Sequence, residues 1–295
     1  MQSADFLSAV FFYLKVGENL NQNWIVENLN NAFSTWNGKL GELWGLVTTG
    51  PQTFKGGAVW SVMQTLHNGM VGIGYALVVL FFAISLCKNT MNFHELKRPE
   101  AAIHYLIRFV AAKALVSYGM DIMLNVFSIC NGIVTDMADS MGGISEAMVS
   151  LPAEMQTAIE NVGFLASIPL WLVTILGSLF ITVLSFVMIL TVYGRFFRLY
   201  MYTALAPLPL AAFAGESTQS VGISFLKSYV GVCLEGAVIV LACVIYSAFV
   251  GTPTVTGGEA TTIVWSYLAE TVFNMLVLVG LIKGSDRIIH EMMGL

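Results

Sequence analysis

The sequence predicts an all-α polytopic membrane protein with about five transmembrane helices. Of its 295 residues, 57% are hydrophobic and only 11% are charged, and the mean hydropathy is +0.77. A soluble domain carries about 25% charged residues, so this composition indicates a chain that lies within a bilayer. Apolar runs that are long enough to cross, at about 20 residues each, recur along the sequence and predict the positions of the helices.

Residues 60–295 contain the predicted transmembrane domain. A hydrocarbon core is about 30 Å thick, and five stretches with few or no charges are long enough to cross it. We expect spans at about 66–87, 105–134, 163–194, 229–250 and 261–282. The third span belongs to an uncharged run from Asn161 to Gly194, and a helix of that length must tilt or protrude.

The charges between these spans predict the orientation of the chain, because Lys and Arg accumulate on the cytoplasmic side of a membrane. The connection after the first span contains Lys88, Lys97 and Arg98, whereas residues 135–160 contain five acidic residues and no Lys or Arg. Basic and acidic connections alternate in this way to the end of the chain. The pattern therefore predicts an external N-terminus and a cytoplasmic C-terminus.

Residues 1–59 are expected to form an external N-terminal segment with an amphipathic helix. Apolar residues recur at three- and four-residue intervals from Ile25 to Val47, which is the period of one helix face, and the other face is rich in asparagine. Four of the six tryptophans lie in this part of the chain, namely Trp24, Trp36, Trp44 and Trp60. Trp favours the membrane–water boundary, so we expect these residues to anchor the helix on the outer leaflet. The alternative is an ordinary helix packed on a partner protein.

Motifs for catalysis and cofactor binding do not occur in the sequence, so we expect no enzymatic activity, no cofactor and no metal site. The stretches "HELKR" at His94 and "HEMMG" at His290 lack the second histidine of the H-E-x-x-H zinc motif. Neither a P-loop nor a G-x-S-x-G elbow is present. The four cysteines lie in apolar stretches without CxxC spacing, which favours small buried residues over metal ligands or disulfides.

Four ionisable residues fall within the predicted spans, and they are Lys113, Asp121, Glu235 and Glu270. A charge near the bilayer centre costs about 2.5–3.5 kcal/mol on insertion scales, so such residues usually face a bundle interior or a water-filled path. We interpret them as structural pairs or pore-lining residues, with Lys113 and Glu235 as a candidate pair. The alternative is a proton relay, for which only Glu235 and Glu270 are plausible links.

Residues 199–215 form an uncharged apolar segment that Pro207 and Pro209 interrupt. Arg195 and Arg198 precede it, at the predicted cytoplasmic end of the third span. The apolar part is too short to cross a bilayer, and a broken backbone at membrane depth is tolerated only where protein or a water cavity surrounds it. We therefore expect a re-entrant or surface-lying hairpin that docks against the inner face of the bundle. A plain amphipathic loop is the alternative.

The sequence "YGRFFRLYMYTALAPLPLAAFAGESTQSVGISFLKSYVGVCLEGAVIVL" at residues 193–241 resembles the signature region of the TrbL-like polytopic membrane subunits of type IV secretion (conjugation) systems. The matching pattern consists of arginine, aromatics, "APLPLA", a glycine-bearing turn, "FLK" and a span that starts at Tyr229. The stretch "IRFVAAKALVSYGMDIML" at residues 107–124 is similar to the second span of that group. The resemblance is nearest to the type found in mobile elements of Gram-positive bacteria.

This resemblance implies an oligomeric, non-enzymatic platform or translocation channel for conjugative DNA transfer, in the cytoplasmic (plasma) membrane of a bacterium. It implies a homo-oligomer among membrane lipids, and as partners conjugation ATPases, pilin-like subunits and bitopic scaffold subunits. The translocated substrate would be a relaxase–DNA complex or a protein, and direct DNA contact is left open. The residues themselves leave a second function open, a secondary transporter or ion channel that uses Glu235 and Glu270.

Overall fold

In a computed structural model of the chain, the residues that the structure describes are 2–90, 99–140, 148–162, 164–249 and 260–294. Within these ranges every regular element is helical and no strand occurs. The α-helices are α1 (Gln2–Thr48), α2 (Ala58–Thr90), α3 (Pro99–Ser117), α4 (Gly119–Ser140), α5 (Ala153–Glu160), α6 (Phe164–Leu205), α7 (Pro207–Ala211), α8 (Gln219–Phe249) and α9 (Ala260–Met293). Short 3₁₀ turns cover Phe54–Gly57 and Ala212–Ala214.

Four helical segments are long and apolar enough to cross a membrane, and they are Phe54–Lys88, Ser167–Leu205, Gln219–Phe249 and Thr262–Met293. A fifth span is reached if the bent pair Ile103–Ser117 and Gly119–Asp139 counts as one. These counts refer to the described residues. The prediction of an all-α polytopic membrane protein is confirmed, and each of the five predicted spans overlaps one of these segments. The external N-terminus and cytoplasmic C-terminus stay predictions.

The second predicted span differs from a single helix over residues 105–134. It consists of α3 and α4, which meet at Tyr118 with a bend of 72°. Gly119 follows the bend, and a Cβ atom there would lie 3.1 Å from Cδ1 of Leu210 and 3.5 Å from Cε1 of His67. The missing side chain thus lets Leu210 and His67 approach the start of α4 closely.

The chain forms two compact units. Unit 1 consists of Met1–Trp44, Gly142–Thr191 and Leu241–Lys283, and unit 2 consists of Gly45–Met141, Val192–Val240 and Gly284–Leu295. The predicted division between an external segment, residues 1–59, and a transmembrane domain, residues 60–295, stays a prediction.

In unit 1, the apolar face of α1 is covered by the chain's own helices. Ile25, Leu29, Trp36, Leu40 and Leu43 have no exposed surface, and Phe33 is 2% exposed. The Phe33 ring meets Tyr267 of α9 edge-on at 6.5 Å between centroids, and the Trp24 ring lies 5.7 Å from that of Trp171 in α6. This arrangement differs from the expected helix on the outer leaflet, where lipid would cover the same face.

Two side chains of unit 1 fix the segment that precedes α5. The amide of Asn37 donates to the carbonyl of Val149 at 2.8 Å, and its Oδ1 accepts from the backbone N–H of Val149 at 2.9 Å. The hydroxyl of Tyr267 donates to the carbonyl of Ser150 at 3.0 Å. The Asn37 side chain thus satisfies both backbone groups of Val149, since an amide can donate and accept. These hydrogen bonds attach the connection to α1 and α9, although it has no regular secondary structure.

In unit 2, the proline-broken segment packs between α2 and α3. Helix α6 continues to Leu205, so the break begins at Ala206 and not at residue 199. Both prolines then lie in the first turn of α7, where a missing N–H leaves no helical hydrogen bond unmade. Ala206, Leu210 and Ala211 have no exposed surface, and both α2 and α3 contact α7. Protein therefore surrounds this broken backbone, as membrane depth requires.

Gly74 of α2 allows α7 to pack closely because it has no side chain, and its substitution tests this packing. A Cβ atom at Gly74 would lie 2.9 Å from Cγ1 of Val116 and 3.0 Å from the carbonyl oxygen of Pro207. We expect Gly74→Ala to lower the free energy of unfolding in detergent by about 1–3 kcal/mol, the usual effect of overpacking. The matched control is Gly72→Ala in the same helix, where a Cβ meets nothing within 4 Å. Equal thermal midpoints for the two variants would contradict the close packing of α7 on α2.

Candidate functional site

The interior of unit 2 contains a fully buried arginine, Arg195 of α6. Three backbone carbonyls accept its N–H groups: Nε bonds Val232 at 3.3 Å, Nη1 bonds Val47 at 3.4 Å and Nη2 bonds Cys233 at 3.2 Å. The guanidinium carbon also lies 5.9 Å from the centre of the Phe127 ring. A buried charge is tolerated only when polar groups replace its water, and here carbonyl dipoles and an aromatic face do so. One side chain thereby joins α6 to α8, to α4 and to the end of α1.

Gly236 of α8 makes room for this guanidinium. A Cβ atom at position 236 would lie 2.7 Å from Nη1 of Arg195 and 2.8 Å from its Cζ and Nη2. The guanidinium is the end of a flexible side chain, but three carbonyls and the packed interior hold it in place. Any larger residue at 236 therefore has to displace the arginine from its acceptors.

Arg198, one helical turn after Arg195, forms the ionic part of the site. Its Nη2 donates to both carboxylate oxygens of Glu235, at 2.7 and 2.8 Å, and its Nη1 donates to the carboxylate of Asp286. The hydroxyl of Ser285 donates to Oε1 of Glu235 at 3.2 Å. Glu235 is 1% exposed, whereas Asp286 is 44% exposed. The cluster thus connects α6, α8 and α9, with its negative charge buried at one end and accessible at the other.

Of the four intramembrane charges that the sequence singled out, the structure places only Glu235 in the interior. Lys113, Asp121 and Glu270 are exposed. The candidate pair of Lys113 with Glu235 is not formed, because Arg198 occupies both carboxylate oxygens of Glu235. Asp121 lines a polar groove of unit 2, together with Gly50, Pro51, Gln52, Leu124, Asn125, Phe127, Ser128 and Asn131.

The helical extension of α6 explains why Arg198 was not recognised as the partner of Glu235. The predicted span ended at Gly194, which placed both arginines in a connection outside the bundle. In the structure the helix continues to Leu205, and residues three apart share one face of a helix. Arg195 and Arg198 therefore both point towards α8. The available signal was the absence of Gly, Asn and Pro, the residues that usually end a helix, between residues 195 and 205.

The remaining predicted residues have varied surroundings. Trp36 has no exposed surface, Trp60 is 8% exposed, Trp24 is 44% exposed and Trp44 is half-buried. Pro207 is buried and Pro209 is half-buried in the packed segment of unit 2. Among the described residues, no group of three or more His, Cys, Asp or Glu side chains is arranged to hold a metal ion.

Comparison with known proteins adds one finding. The family described as "TrbL/VirB6 plasmid conjugal transfer like protein" matches the chain over residues 36–207, which is more than half of its length. The match contains the last part of α1 from Trp36 onwards, both arginines of the buried site and Pro207. No curated protein and no solved structure matches the chain.

Removal of Arg198 tests the ionic cluster. We expect Arg198→Ala to lower the free energy of unfolding by about 3–5 kcal/mol, because it leaves the carboxylate of Glu235 buried without its partner. The double variant Arg198→Met with Glu235→Leu should recover most of this loss, since both buried charges disappear together. Thermal midpoints of the purified variants in detergent provide the measurement.

Arg287 is the matched control for Arg198, because its ion pair with Glu291 lies on the surface, with 86% of the Arg287 side chain exposed. Exposed pairs contribute little to stability, so Arg287→Ala should leave the thermal midpoint unchanged. A similar decrease of the thermal midpoint in Arg198→Ala and Arg287→Ala would show that burial of the cluster does not increase its contribution to stability.

Substitution of Gly236 tests the carbonyl-bound arginine separately. Gly236→Ala should lower the free energy of unfolding by about 1–3 kcal/mol through overpacking, although alanine favours a helix by about 1 kcal/mol over glycine. Gly194→Ala, one residue before Arg195, meets nothing within 4 Å and should be neutral or stabilising. The idea fails if Gly236→Ala is as stable as Gly194→Ala.

Proposed function

We propose a function for this chain from one premise: it belongs to the TrbL/VirB6 plasmid conjugal transfer-like family. It is accordingly a multi-pass membrane component of conjugal transfer, that is, of type IV secretion. The finer proposal is that several copies assemble in the cytoplasmic membrane into a platform or translocation channel. In this assembly the chain has no catalytic task of its own.

The observation that best supports a structural task is the way in which the buried charges of unit 2 are used. Arg195 is bound by three carbonyls, and Glu235 accepts hydrogen bonds from Arg198 and Ser285. A residue that relays protons or couples an ion must change partners during each cycle. Side chains that are held by several helices at once are suited instead to keeping those helices in a fixed arrangement.

The transporter or ion-channel alternative depends on Glu235 and Glu270 acting together. Glu235 belongs to unit 2, where its carboxylate is enclosed by the arginine cluster, whereas Glu270 belongs to unit 1 and is exposed. Since Arg198 binds both carboxylate oxygens of Glu235, this residue is not free to exchange protons or ions, and the platform proposal takes precedence.

The partners of the platform follow from the division of work in a conjugation machine. We propose that conjugation ATPases supply the energy, since the sequence has no P-loop of its own. Pilin-like and bitopic scaffold subunits are the proposed structural neighbours, and the substrate is a relaxase–DNA complex or a protein. The external N-terminus, the cytoplasmic C-terminus and the Gram-positive mobile-element type belong to the same proposal.

Native mass after gentle detergent extraction tests the platform. The tagged chain is extracted from donor cells with and without the remaining conjugation genes, and a deletion of the chain is scored for conjugal transfer. We expect a complex of several copies, or one that carries a conjugation ATPase, and loss of transfer that the wild-type chain restores. A stable monomer from cells with the full set of genes, or normal transfer after deletion, would contradict the proposal.

A further inference from the structure

Helix α1 runs beside α6 in unit 1 over a length comparable to half a bilayer or more. The Trp24 ring lies 5.7 Å from that of Trp171, and the ammonium of Lys39 lies 5.8 Å from the centre of the Phe186 ring. The two contacts are 15 residues apart on each helix. Since both helices rise about 1.5 Å per residue, they are parallel and in register over about 22 Å.

The part of α6 that accompanies α1 faces lipid. It belongs to the candidate span Ser167–Leu205, which has a mean hydropathy of 2.5. Apart from Pro169, its exposed side chains are large and apolar, and they are Ile168, Trp171, Leu172, Leu176, Leu179, Phe180, Val183, Phe186 and Leu190. A surface of this kind is stable in hydrocarbon and not in water. Residues of α1 that lie beside it are therefore placed at membrane depth, and not in the external segment expected for residues 1–59.

The exposed face of α1 is polar along this same length. Between Glu27 and Gly41, every residue that the structure leaves exposed is polar or a glycine: Glu27, Asn30, Asn31, Ser34, Gly38 and Gly41. We call these six residues the polar stripe of α1. A Cβ atom at either glycine meets nothing within 4 Å. The stripe covers about 21 Å of helix, and the apolar residues of α1 lie on the opposite, buried face.

Lipid is an unsuitable neighbour for the polar stripe, because amide, hydroxyl and carboxylate groups lose their hydrogen bonds to water there. Polar residues at membrane depth face a bundle interior or a water-filled path. The bundle interior of unit 1 is occupied by the opposite face of α1. Water or a further protein surface therefore remains as the neighbour, on a side of the chain that lipid does not reach.

We propose that the polar stripe of α1 lines a water-filled path through the membrane, which further copies of this chain enclose. The inference rests on the proposed function, since a single copy would leave the stripe open to lipid. The stripe contains one carboxylate and no Lys or Arg, and proteins that hold nucleic acid neutralise its phosphates with those residues. The path accordingly admits water, hydrated solutes or polar chains. The stripe does not bind DNA phosphates, because it has no basic residue.

Chemical labelling of cysteines in membranes of donor cells tests the path. In a background in which the four native cysteines are replaced, Ser34→Cys and Asn31→Cys report the stripe. Phe180→Cys and Leu176→Cys report the lipid-facing side of α6 near the same depth, outside the groove that Asn31 shares with Leu179. The probe is a charged, membrane-impermeant methanethiosulfonate. Because the reactive species is the thiolate, which needs water to form, we expect labelling at least about tenfold faster at Ser34 and Asn31 than at the two α6 positions.

The two stripe positions are one turn apart and serve as independent reporters, and each variant is first checked for normal membrane levels and transfer. Labelling of both at the slow rate of Phe180→Cys would overturn the proposal. Slow labelling together with disulfide formation between copies at Ser34→Cys would also overturn it, because the stripe then packs against a second helix. Slow labelling with normal transfer and an oligomeric native mass would leave the proposed function intact.

Conjugal transfer measured after labelling distinguishes the water-filled path from the proposed platform function. If a bulky impermeant reagent at Ser34→Cys reduces transfer at least about tenfold, the water-filled path is part of the route. Rapid labelling of a chain whose native mass is that of a monomer would overturn the enclosure of the path by further copies. Normal transfer after deletion of the chain would in addition refute the platform.

Discussion

The fold of unit 2 depends on the buried guanidinium of Arg195. Transfer of an isolated charge into a low-dielectric interior is so unfavourable that it persists only with well-placed partners. The three carbonyls belong to the end of α1 and to one turn of α8, and the ring of Phe127 comes from α4. A lysine cannot replace this arginine, because its compact ammonium lacks the planar set of donors that reaches all three oxygens.

The two arginines of α6 use the same helix face for different purposes. Arg195 is satisfied by backbone oxygens, whereas Arg198 is satisfied by the carboxylates of Glu235 and Asp286. Both require α6 to remain helical beyond the uncharged run, and it does so until Pro207, whose ring clashes with a preceding turn. The proline-broken segment then packs on α2 and α3. The two arginines thus fix the last turns of α6 to α8, and the prolines end this helix directly after them.

Sequence reasoning predicted the spans because hydropathy measures the property that places a helix in lipid. It did not predict the extent of α6, since the end of an apolar run is not the end of a helix. The bend at Tyr118 was missed because a single glycine is tolerated in a straight span. The period of Ile25 to Val47 predicted an amphipathic helix correctly, but lipid and protein are equally apolar neighbours. The pattern therefore did not reveal that α6 and α9 cover this face.

The partner of Arg195 has no sequence signature, for a physical reason. A carbonyl oxygen is supplied by every residue type, so Val232 and Cys233 contribute acceptors that no motif records. What the sequence has to provide in α8 is a continuous helix and a residue without a side chain at Gly236. The family match ends at Pro207, so it contains both arginines and none of the residues of α8 or α9 that hold them. The contact of Arg195 therefore makes no demand on the side chains of Val232 and Cys233, whereas that of Arg198 requires the carboxylate of Glu235.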